Sequence, residues 1–175
     1  MALRILGLQR SLGRMGNGSI MAKFNPAKFA SENESWETPE SVFRPLDDEF
    51  HFTLDVCATP ENTKCRRFLT RQEDGLSQNW SGVCWMNPPF GEQRKWVEKA
   101  YQEAQRGCIV VCLLPARTNT KWWYNYCRLG EIRFIQGRPR FKGAKYGLPQ
   151  PLAIVIFPQC PDRPKVSYFE LGMAA

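Results

Sequence analysis

The sequence predicts an α/β fold with a mostly parallel sheet and an antiparallel end, and three features support this. Residues 108–114 form an unbroken apolar run, which is typical of a central parallel strand covered on both faces. Residues 93–105 place their large apolar side chains at helical spacing, as expected of a helix that packs on such a sheet. The strands predicted at 131–136 and 152–157 have no obvious helix between them, which favours an antiparallel pair.

Local signals define the remaining elements. Thr38 is a predicted N-cap with Pro39 at the first helical position, so a helix should follow. Apolar runs bounded by polar turn residues predict short strands. In chain order we expect a helix at 40–50, a strand at 52–58, a short helix from Thr59 to Cys65, a short strand at 67–70, a turn at 73–76, a strand at 81–86 and a helix at 118–129.

The chain has room for one domain. Its 175 residues, of which 43% are hydrophobic, are enough for a single substantial core. We predict a basic, disordered arm at residues 1–30, the folded domain at residues 31–160 and a C-terminal tail at residues 161–175. The arm lacks the apolar core of a signal peptide, although its composition also resembles that of an organelle transit peptide.

Several classes of site lack the residues that they need. The single histidine, His51, does not support a zinc site or a serine-type catalytic triad. The seven cysteines include no C-x-x-C pair, and most lie in or beside apolar runs, so we interpret them as reduced core thiols. No apolar run approaches the roughly 18 residues that span a bilayer. We therefore expect a cytoplasmic protein without a metal or a membrane span.

The positive charge is concentrated at the two ends of the chain. Of the net charge of +7, residues 1–30 contribute five basic residues and no acid, while residues 31–130 hold 12 basic and 14 acidic residues. Towards the C-terminus, basic residues alternate with aromatic ones, a combination that is either a solvated face or a nucleic-acid contact. The candidate nucleic-acid-binding residues are Arg133, Arg138, Arg140, Lys142 and Lys145.

The most informative motif is the turn Asn87-Pro88-Pro89-Phe90, which follows the predicted strand at 81–86. Consecutive prolines fix two φ angles and remove two backbone donors. Such a turn can present an amide oxygen, a backbone carbonyl and an aromatic face to one planar ligand. An exocyclic amino group of a nucleobase needs this set of partners, although the same residues can also form an ordinary turn at the end of a strand.

Asp55 and Asn87 both stand at the carboxyl ends of predicted strands. In open α/β sheets, ligands bind in the crevice outside these strand ends. We therefore expect the two side chains to border one crevice.

Six short motifs, in this order along the chain, resemble those of the phage-type, Dam-like DNA N6-adenine methyltransferases. They are Trp36-Glu37-Thr38-Pro39, Leu54-Asp55-Val56-Cys57-Ala58, Asp74-Gly75-Leu76 with Trp80, Asn87-Pro88-Pro89-Phe90, Leu113-Leu114-Pro115-Ala116 and Gly137-Arg138. The resemblance runs from about Trp36 to Phe157. It implies a compact Rossmann-like, S-adenosylmethionine-dependent methyltransferase fold and methyl transfer to adenine N6 in double-stranded DNA.

The resemblance also implies roles for individual residues. Asn87 and the carbonyl of Pro88 would accept the two N6 hydrogens, Pro89 would complete the rigid turn, and Phe90 would stack on an extruded base. Trp36, Thr38 and Pro39 would close the methionine end of the cofactor. Asp55 and Ala58 would lie in the cofactor-binding turn, and Asp74, Gly75 and Leu76 would face the cofactor's adenine.

Two features depart from the common methyltransferase pattern. The turn after the first predicted strand, at residues 55–60, has no glycine, so the backbone approaches a cofactor less freely there. Only 31 residues separate Asp55 from Asn87, which is too few for two full strand–helix repeats. The acid that would bind the cofactor ribose therefore stays ambiguous between Glu73 and Asp74.

The sequence thus predicts a phage- or prophage-encoded DNA adenine methyltransferase that extrudes its target base. Two alternatives stay open at this point. One is a methyltransferase acting on another amino group, such as RNA adenine, cytosine N4 or a glutamine amide. The other is a non-catalytic nucleic-acid-binding module.

Overall fold

The computed structural model describes residues 37–142, 150–158 and 162–171. The predicted basic arm, Trp36 and Lys145 lie outside these ranges. Within them the chain forms three α-helices, one 3-10 helix and a six-stranded sheet. In chain order the elements are α1 (Glu40–Phe50), β1 (Leu54–Asp55), β2 (Val83–Met86), α2 (Gln93–Gln105), β3 (Ile109–Pro115), α3 (Lys121–Asn125), the 3-10 helix (Cys127–Leu129), β4 (Glu131–Ile135), β5 (Leu152–Phe157) and β6 (Val166–Phe169).

The strand order in the sheet is β1-β2-β3-β5-β4-β6. Strands β1, β2 and β3 are parallel, and β4 is parallel to β6. Only β5 runs against its neighbours, pairing antiparallel with β3 and β4. The predicted α/β class is confirmed, with its mostly parallel sheet and an antiparallel β4–β5 pair.

Both faces of the sheet are buried, which explains the unbroken apolar sequence of β3. Its residues alternate between two apolar clusters, with Val110 and Cys112 on one face and Val111 on the other. Helices α2 and α3 cover the first face, and α1 covers the second. On the second face, Phe43 of α1 meets Trp85 of β2 edge to face, with ring centroids 5.4 Å apart.

The start of α1 differs from the prediction. Pro39, not Thr38, is the N-cap, and the carbonyl of Pro39 accepts the first helical hydrogen bonds from Val42 and Phe43. The Thr38 hydroxyl makes no capping bond, because it accepts a hydrogen bond from the side chain of Asn87 instead. The Thr38 hydroxyl thus bonds to Asn87, which is distant in the sequence, and not to a backbone N–H of α1.

The segment around β1 is less regular than predicted. The strand expected at 52–58 is reduced to Leu54–Asp55, and the strand expected at 67–70 to a single bridge between Asp55 and Phe68. The short helix expected from Thr59 to Cys65 is a turn. Two of its backbone donors bond to side chains, Thr59 N to Asn62 Oδ1 at 2.7 Å and Lys64 N to Asp55 Oδ2 at 3.0 Å. Among the backbone donors of this described segment, only Asn62 N and Thr63 N make turn-like bonds, both to the carbonyl of Thr59.

The C-terminal segment extends the sheet. Strand β6 lies within the predicted tail and pairs with β4, so this part of residues 161–175 belongs to the domain's sheet. The helix expected at 118–129 is divided into α3 and the 3-10 helix at Tyr126, whose ring packs against Tyr101 at 5.6 Å.

Arg133 belongs to a buried ion-pair network, which corrects its assignment to nucleic-acid binding. It is 9% exposed. Its guanidinium donates to Glu131 at 2.7 Å and to both oxygens of Glu49 at 2.6 and 2.8 Å, and Arg163 also contacts Glu49. The network joins α1 to β4, so the side chain of Arg133 is not available to a phosphate.

Arg133→Ala is expected to lower the free energy of unfolding by about 3–5 kcal/mol, because it leaves the buried carboxylate of Glu131 without its 2.7 Å partner. Urea titration followed by circular dichroism measures this loss. Arg44→Ala is the matched control, since Arg44 and its partner Asp48 are 75% and 70% exposed. That control should change the stability by less than about 1 kcal/mol. A loss below 1 kcal/mol for Arg133→Ala would contradict the buried network.

Candidate active site

Asp55 and Asn87 meet at the carboxyl edge of the sheet, as predicted. Strands β1 and β2 are parallel with Asp55 opposite Trp85, and Asn87 follows two residues later. Both side chains line a cavity of about 690 Å³. Other residues with a predicted site role also line it: Thr38, Ala58, Asp74, Gly75, Leu76 and Pro89.

The Asp55 carboxylate is buried at the floor of this cavity, with 3% of the residue exposed. Burial raises its pKa from 3.8 to about 6, although two backbone N–H groups and the charge of Lys64 oppose the rise. Those N–H groups belong to Lys64 and Cys57, at 3.0 and 3.4 Å. The site thus holds a carboxyl group that ionises close to neutral pH.

The side-chain amide of Asn87 has a defined orientation. Its Nδ2 donates to Thr38 Oγ1 at 3.1 Å, so the oxygen is the end of the amide that can accept a hydrogen bond from an amino group. The nearby Cys57 thiol stays protonated. Burial and the charge of Asp55 raise its pKa well above the ordinary value, and a hydrogen bond from the Asn87 backbone only partly opposes this.

The two prolines of the turn have different surroundings. The carbonyl of Pro89 accepts from Glu92 N at 3.1 Å as the chain enters α2. Within the described ranges no donor binds the carbonyl of Pro88, which leaves it able to accept a substrate N–H. Pro88 is buried, while Phe90 is half-buried; neither lines the cavity directly, and nor does Pro39.

The structure separates the two acids that the sequence left as alternatives for the ribose. Asp74 lines the cavity, whereas Glu73 does not. The Glu73 carboxylate is held by the Thr70 backbone and hydroxyl at 2.8 and 2.9 Å. Of these two acids, Asp74 is therefore the one that borders the cavity.

Several cavity residues were missed by the sequence analysis. Trp96 was assigned to the core side of α2, and its indole in fact packs between the core and the cavity, stacked on Trp80 at 6.3 Å. Helical spacing alone could not show this, because one ring serves both environments. The other missed residues are Cys57, Thr59, Asn62, Lys64, Leu69, Thr70, Arg71, Trp85, Glu92 and Lys95.

Glu37 connects Lys64, which lines the cavity, to Lys142, one of the candidate nucleic-acid-binding residues. One of its oxygens lies 3.3 Å from Nζ of Lys64, whose side chain is only 8% exposed, and the other lies 2.8 Å from Nζ of Lys142. Its pKa is lowered mainly by the hydrogen bond from Lys142. Of the other candidate nucleic-acid-binding residues, Arg138 and Arg140 are exposed just beyond β4.

No group of His, Cys, Asp and Glu in the described part of the chain could hold a metal ion. Among the helices of that part, none is long and apolar enough to cross a membrane.

Comparison with known proteins identifies the family. The family model for DNA N-6-adenine-methyltransferase (Dam) matches residues 27–150, which is more than half of the chain. The chain belongs to this Dam family. The resemblance recognised in the sequence is thereby confirmed, and the matched residues include β1, β2, the Asn87 turn and the cavity.

Two relatives are curated phage proteins. A DNA N-6-adenine-methyltransferase of Haemophilus phage HP1 is 37% identical over 108 residues, covering 59% of this chain and 61% of the phage protein. A DNA N-6-adenine-methyltransferase of Escherichia phage T1 is 30% identical over 91 residues, covering 50% of this chain and 38% of that phage protein. This Dam-family chain therefore spans less than two thirds of the length of each of these relatives.

The raised pKa of Asp55 gives a testable pH dependence. The unfolded chain ionises this group near pH 4 and the folded chain near pH 6, so folding stability falls as the pH rises through that window and is level above it. Relative to Asp55→Asn, wild type should lose about 3 kcal/mol between these limits, at ~1.4 kcal/mol per pKa unit.

Urea titrations at half-unit pH steps from 3.5 to 8 measure this difference. Asp48→Asn, which removes an exposed aspartate, is the control and should show no such step. A difference between wild type and Asp55→Asn that does not vary with pH would refute the raised pKa.

Proposed function

We propose that this chain is encoded by a phage or prophage and that, in the cytoplasm of the bacterial host cell, it transfers the methyl group of S-adenosylmethionine to N6 of adenine in double-stranded DNA. The observation that carries the proposal is the meeting of Asp55 and Asn87 in one cavity, within the part of the chain that matches the Dam family. The names of the phage relatives support DNA adenine as the acceptor.

The cavity fits this cofactor in size and chemistry. Its 690 Å³ falls within the range of pockets for ligands of this size. Trp96, Leu69 and Leu76 offer apolar walls suited to an adenine ring, while Asp55 and Asp74 supply carboxylates suited to a cationic amino acid end and a ribose. When bound, the cofactor supplies an electrophilic methyl group on a positively charged sulfur.

Asn87 and Pro88 would activate the acceptor nitrogen. The adenine N6 lone pair is delocalised into the ring, so the nitrogen is a poor nucleophile. Two acceptors on its hydrogens, Asn87 Oδ1 and the Pro88 carbonyl, favour a more tetrahedral nitrogen and stabilise the positive charge that develops on it. This activation needs no strong base, in keeping with a site that contains no histidine.

The adenine must leave the duplex to reach this cavity, which costs a few kcal/mol. We assign Phe90 to stacking on the extruded base, since it directly follows Pro89, which lines the cavity, and is half-buried. Pro89 fixes the distance between the amide and this ring by its rigid φ angle.

Asn87→Ala is expected to reduce kcat for DNA methylation at least 100-fold, the usual loss when a preorganised hydrogen-bonding group is removed from an active site. Transfer of tritiated methyl groups to plasmid DNA measures the rate. Calorimetric titration with S-adenosylhomocysteine should give an unchanged Kd, because the amide contacts the acceptor and not the cofactor.

The exposed Asn79 offers a matched control, and Asn79→Ala should keep full activity. Parallel reactions with RNA, with cytosine-only DNA and with a glutamine peptide distinguish the other amino acceptors. Retained activity in Asn87→Ala would exclude the proposed mechanism, and methylation of one of those acceptors in preference to adenine DNA would exclude the proposed substrate.

We assign the DNA contact to the basic residues along the carboxyl edge of the sheet. Arg138 and Arg140 follow β4, and the exposed Arg117 follows β3 beside Gln150, which it contacts at 3.4 Å. Strands β2 and β4 lie three spacings apart in the sheet, about 14 Å, which is close to the ~12 Å width of the major groove.

The double variant Arg138→Ala, Arg140→Ala should weaken DNA binding and make its salt dependence shallower. Each lost phosphate contact reduces the slope of log K against log salt by about 0.9. Fluorescence anisotropy with a labelled duplex between 50 and 300 mM NaCl measures the slope, with Arg44→Ala on α1 as the control. A slope equal to that of wild type would place the DNA elsewhere.

A further inference from the structure

The amide of Asn87 is held by a residue 49 positions away. Thr38 is 3% exposed, and its Oγ1 accepts from Asn87 Nδ2 at 3.1 Å. The hydroxyl does not cap α1, although its position in the sequence suits that role. Thr38 lines the cavity, so its contact with Asn87 forms part of the cavity wall.

The backbone on both sides of Thr38 is fixed. On one side, Glu37 pairs with Lys142 through a bridge, a backbone hydrogen bond of 3.4 Å and a carboxylate–ammonium contact of 2.8 Å. The other Glu37 oxygen meets the nearly buried Lys64. On the other side, Pro39 starts α1, whose Val42 is fully buried. The Thr38 hydroxyl is therefore a fixed acceptor rather than a mobile surface group.

A fixed acceptor matters because the two ends of an amide are chemically opposite. If the amide oxygen faces the substrate, it accepts an N6 hydrogen. If the amide NH2 group faces the substrate, two donor groups face each other and no hydrogen bond to an N6 hydrogen forms. The hydrogen bond to Thr38 engages the nitrogen end and removes the rotational freedom of the side chain. The Asn87 amide is therefore already ordered before the substrate binds, so less conformational freedom is lost in reaching the transition state.

We propose that Thr38 is a positioning residue that holds the Asn87 amide with its oxygen towards the acceptor nitrogen, and that Glu37 holds Thr38 in place. This inference rests on the proposed function. The main role of Thr38 is then to position Asn87, and not to enclose the methionine end of the cofactor. The two roles differ in the step that they affect. Positioning acts on kcat for methyl transfer, whereas closure of the cofactor acts on cofactor affinity.

The kinetic test compares Thr38→Val, which keeps the shape but loses the hydroxyl, with Thr38→Ser, which keeps the hydroxyl. Thr38→Val should lower kcat about 10- to 100-fold, the scale of a misplaced catalytic group, and leave the Kd of S-adenosylhomocysteine within about twofold. Thr38→Ser should recover kcat to within about threefold of wild type. A raised Kd with unchanged kcat in Thr38→Val would overturn the proposal in favour of cofactor closure.

Thr53→Val is the matched control. The Thr53 hydroxyl also takes part in hydrogen bonds of 3.1 Å, with Val83, but it lies at the amino end of β2, away from the cavity. This variant should leave kcat unchanged. A loss of kcat equal to that of Thr38→Val would show a general effect of threonine replacement and overturn the proposal.

Nuclear magnetic resonance tests the same contact without any reaction. The side-chain NH2 signals of Asn87 are identified in the 15N-labelled 175-residue chain by their absence from Asn87→Ala. They should shift and exchange faster with solvent in Thr38→Val and stay at their wild-type positions in Thr38→Ser. Unchanged signals in Thr38→Val would refute the positioning contact. Wild-type protein that shows the contact and yet methylates no DNA would instead refute the proposed function.

Discussion

The pairing of β1 with β2 is the constraint on which the rest of the site depends. β1 has only two residues, so bonds from both sides must hold it. On the inner side, Val56 N donates to Trp85 O at 3.1 Å; on the outer side, Asp55 N donates to Arg67 O and Asp55 O accepts from Leu69 N. These bonds set Asp55 beside the end of β2. A shift by one residue would turn the Asp55 carboxylate to the opposite face of the sheet and remove it from the cavity.

Two buried carboxylates, those of Glu103 and Asp55, have different surroundings. Glu103 is 1% exposed and is paired with Lys99 and Arg106, both at 2.6 Å. Burial is the largest single effect and raises its pKa, but the hydrogen bonds from Lys99 and from the Trp80 N–H, together with the charges of Lys99 and Arg106, lower the pKa below its ordinary value. Asp55 has no ion pair within the described ranges and keeps a raised pKa. Its neighbour Lys64 directs the ammonium group to Glu37 and Glu40 instead. A buried acid without a cationic partner, in a cavity, is where a cationic ligand would gain most.

The sequence predicted the elements whose causes are local. Strand β5, helix α2 and the edge that joins Asp55 to Asn87 all follow from apolar spacing and strand order. The failures have long-range causes. Thr38 was expected to cap α1, and nothing near it in the sequence indicates a partner 49 residues away. Arg133 resembled a surface cation, because no local pattern reveals that Glu49 of α1 folds against it, 84 residues distant in the chain.

The missing glycines after β1 have a structural counterpart in Gly75, which packs against the residue that follows β1. The turn after Asp55 contains no glycine, yet the chain still packs closely there, because Gly75 supplies the space. A Cβ on Gly75 would lie 2.3 Å from the carbonyl oxygen of Val56 and 3.0 Å from the indole of Trp96, both closer than atoms can approach without displacement or strain. The carbonyl of Gly75 also accepts from the indole of Trp80 at 2.8 Å. Close packing against the turn after β1 is thus achieved by a glycine about 20 residues beyond the strand rather than by a glycine within the turn.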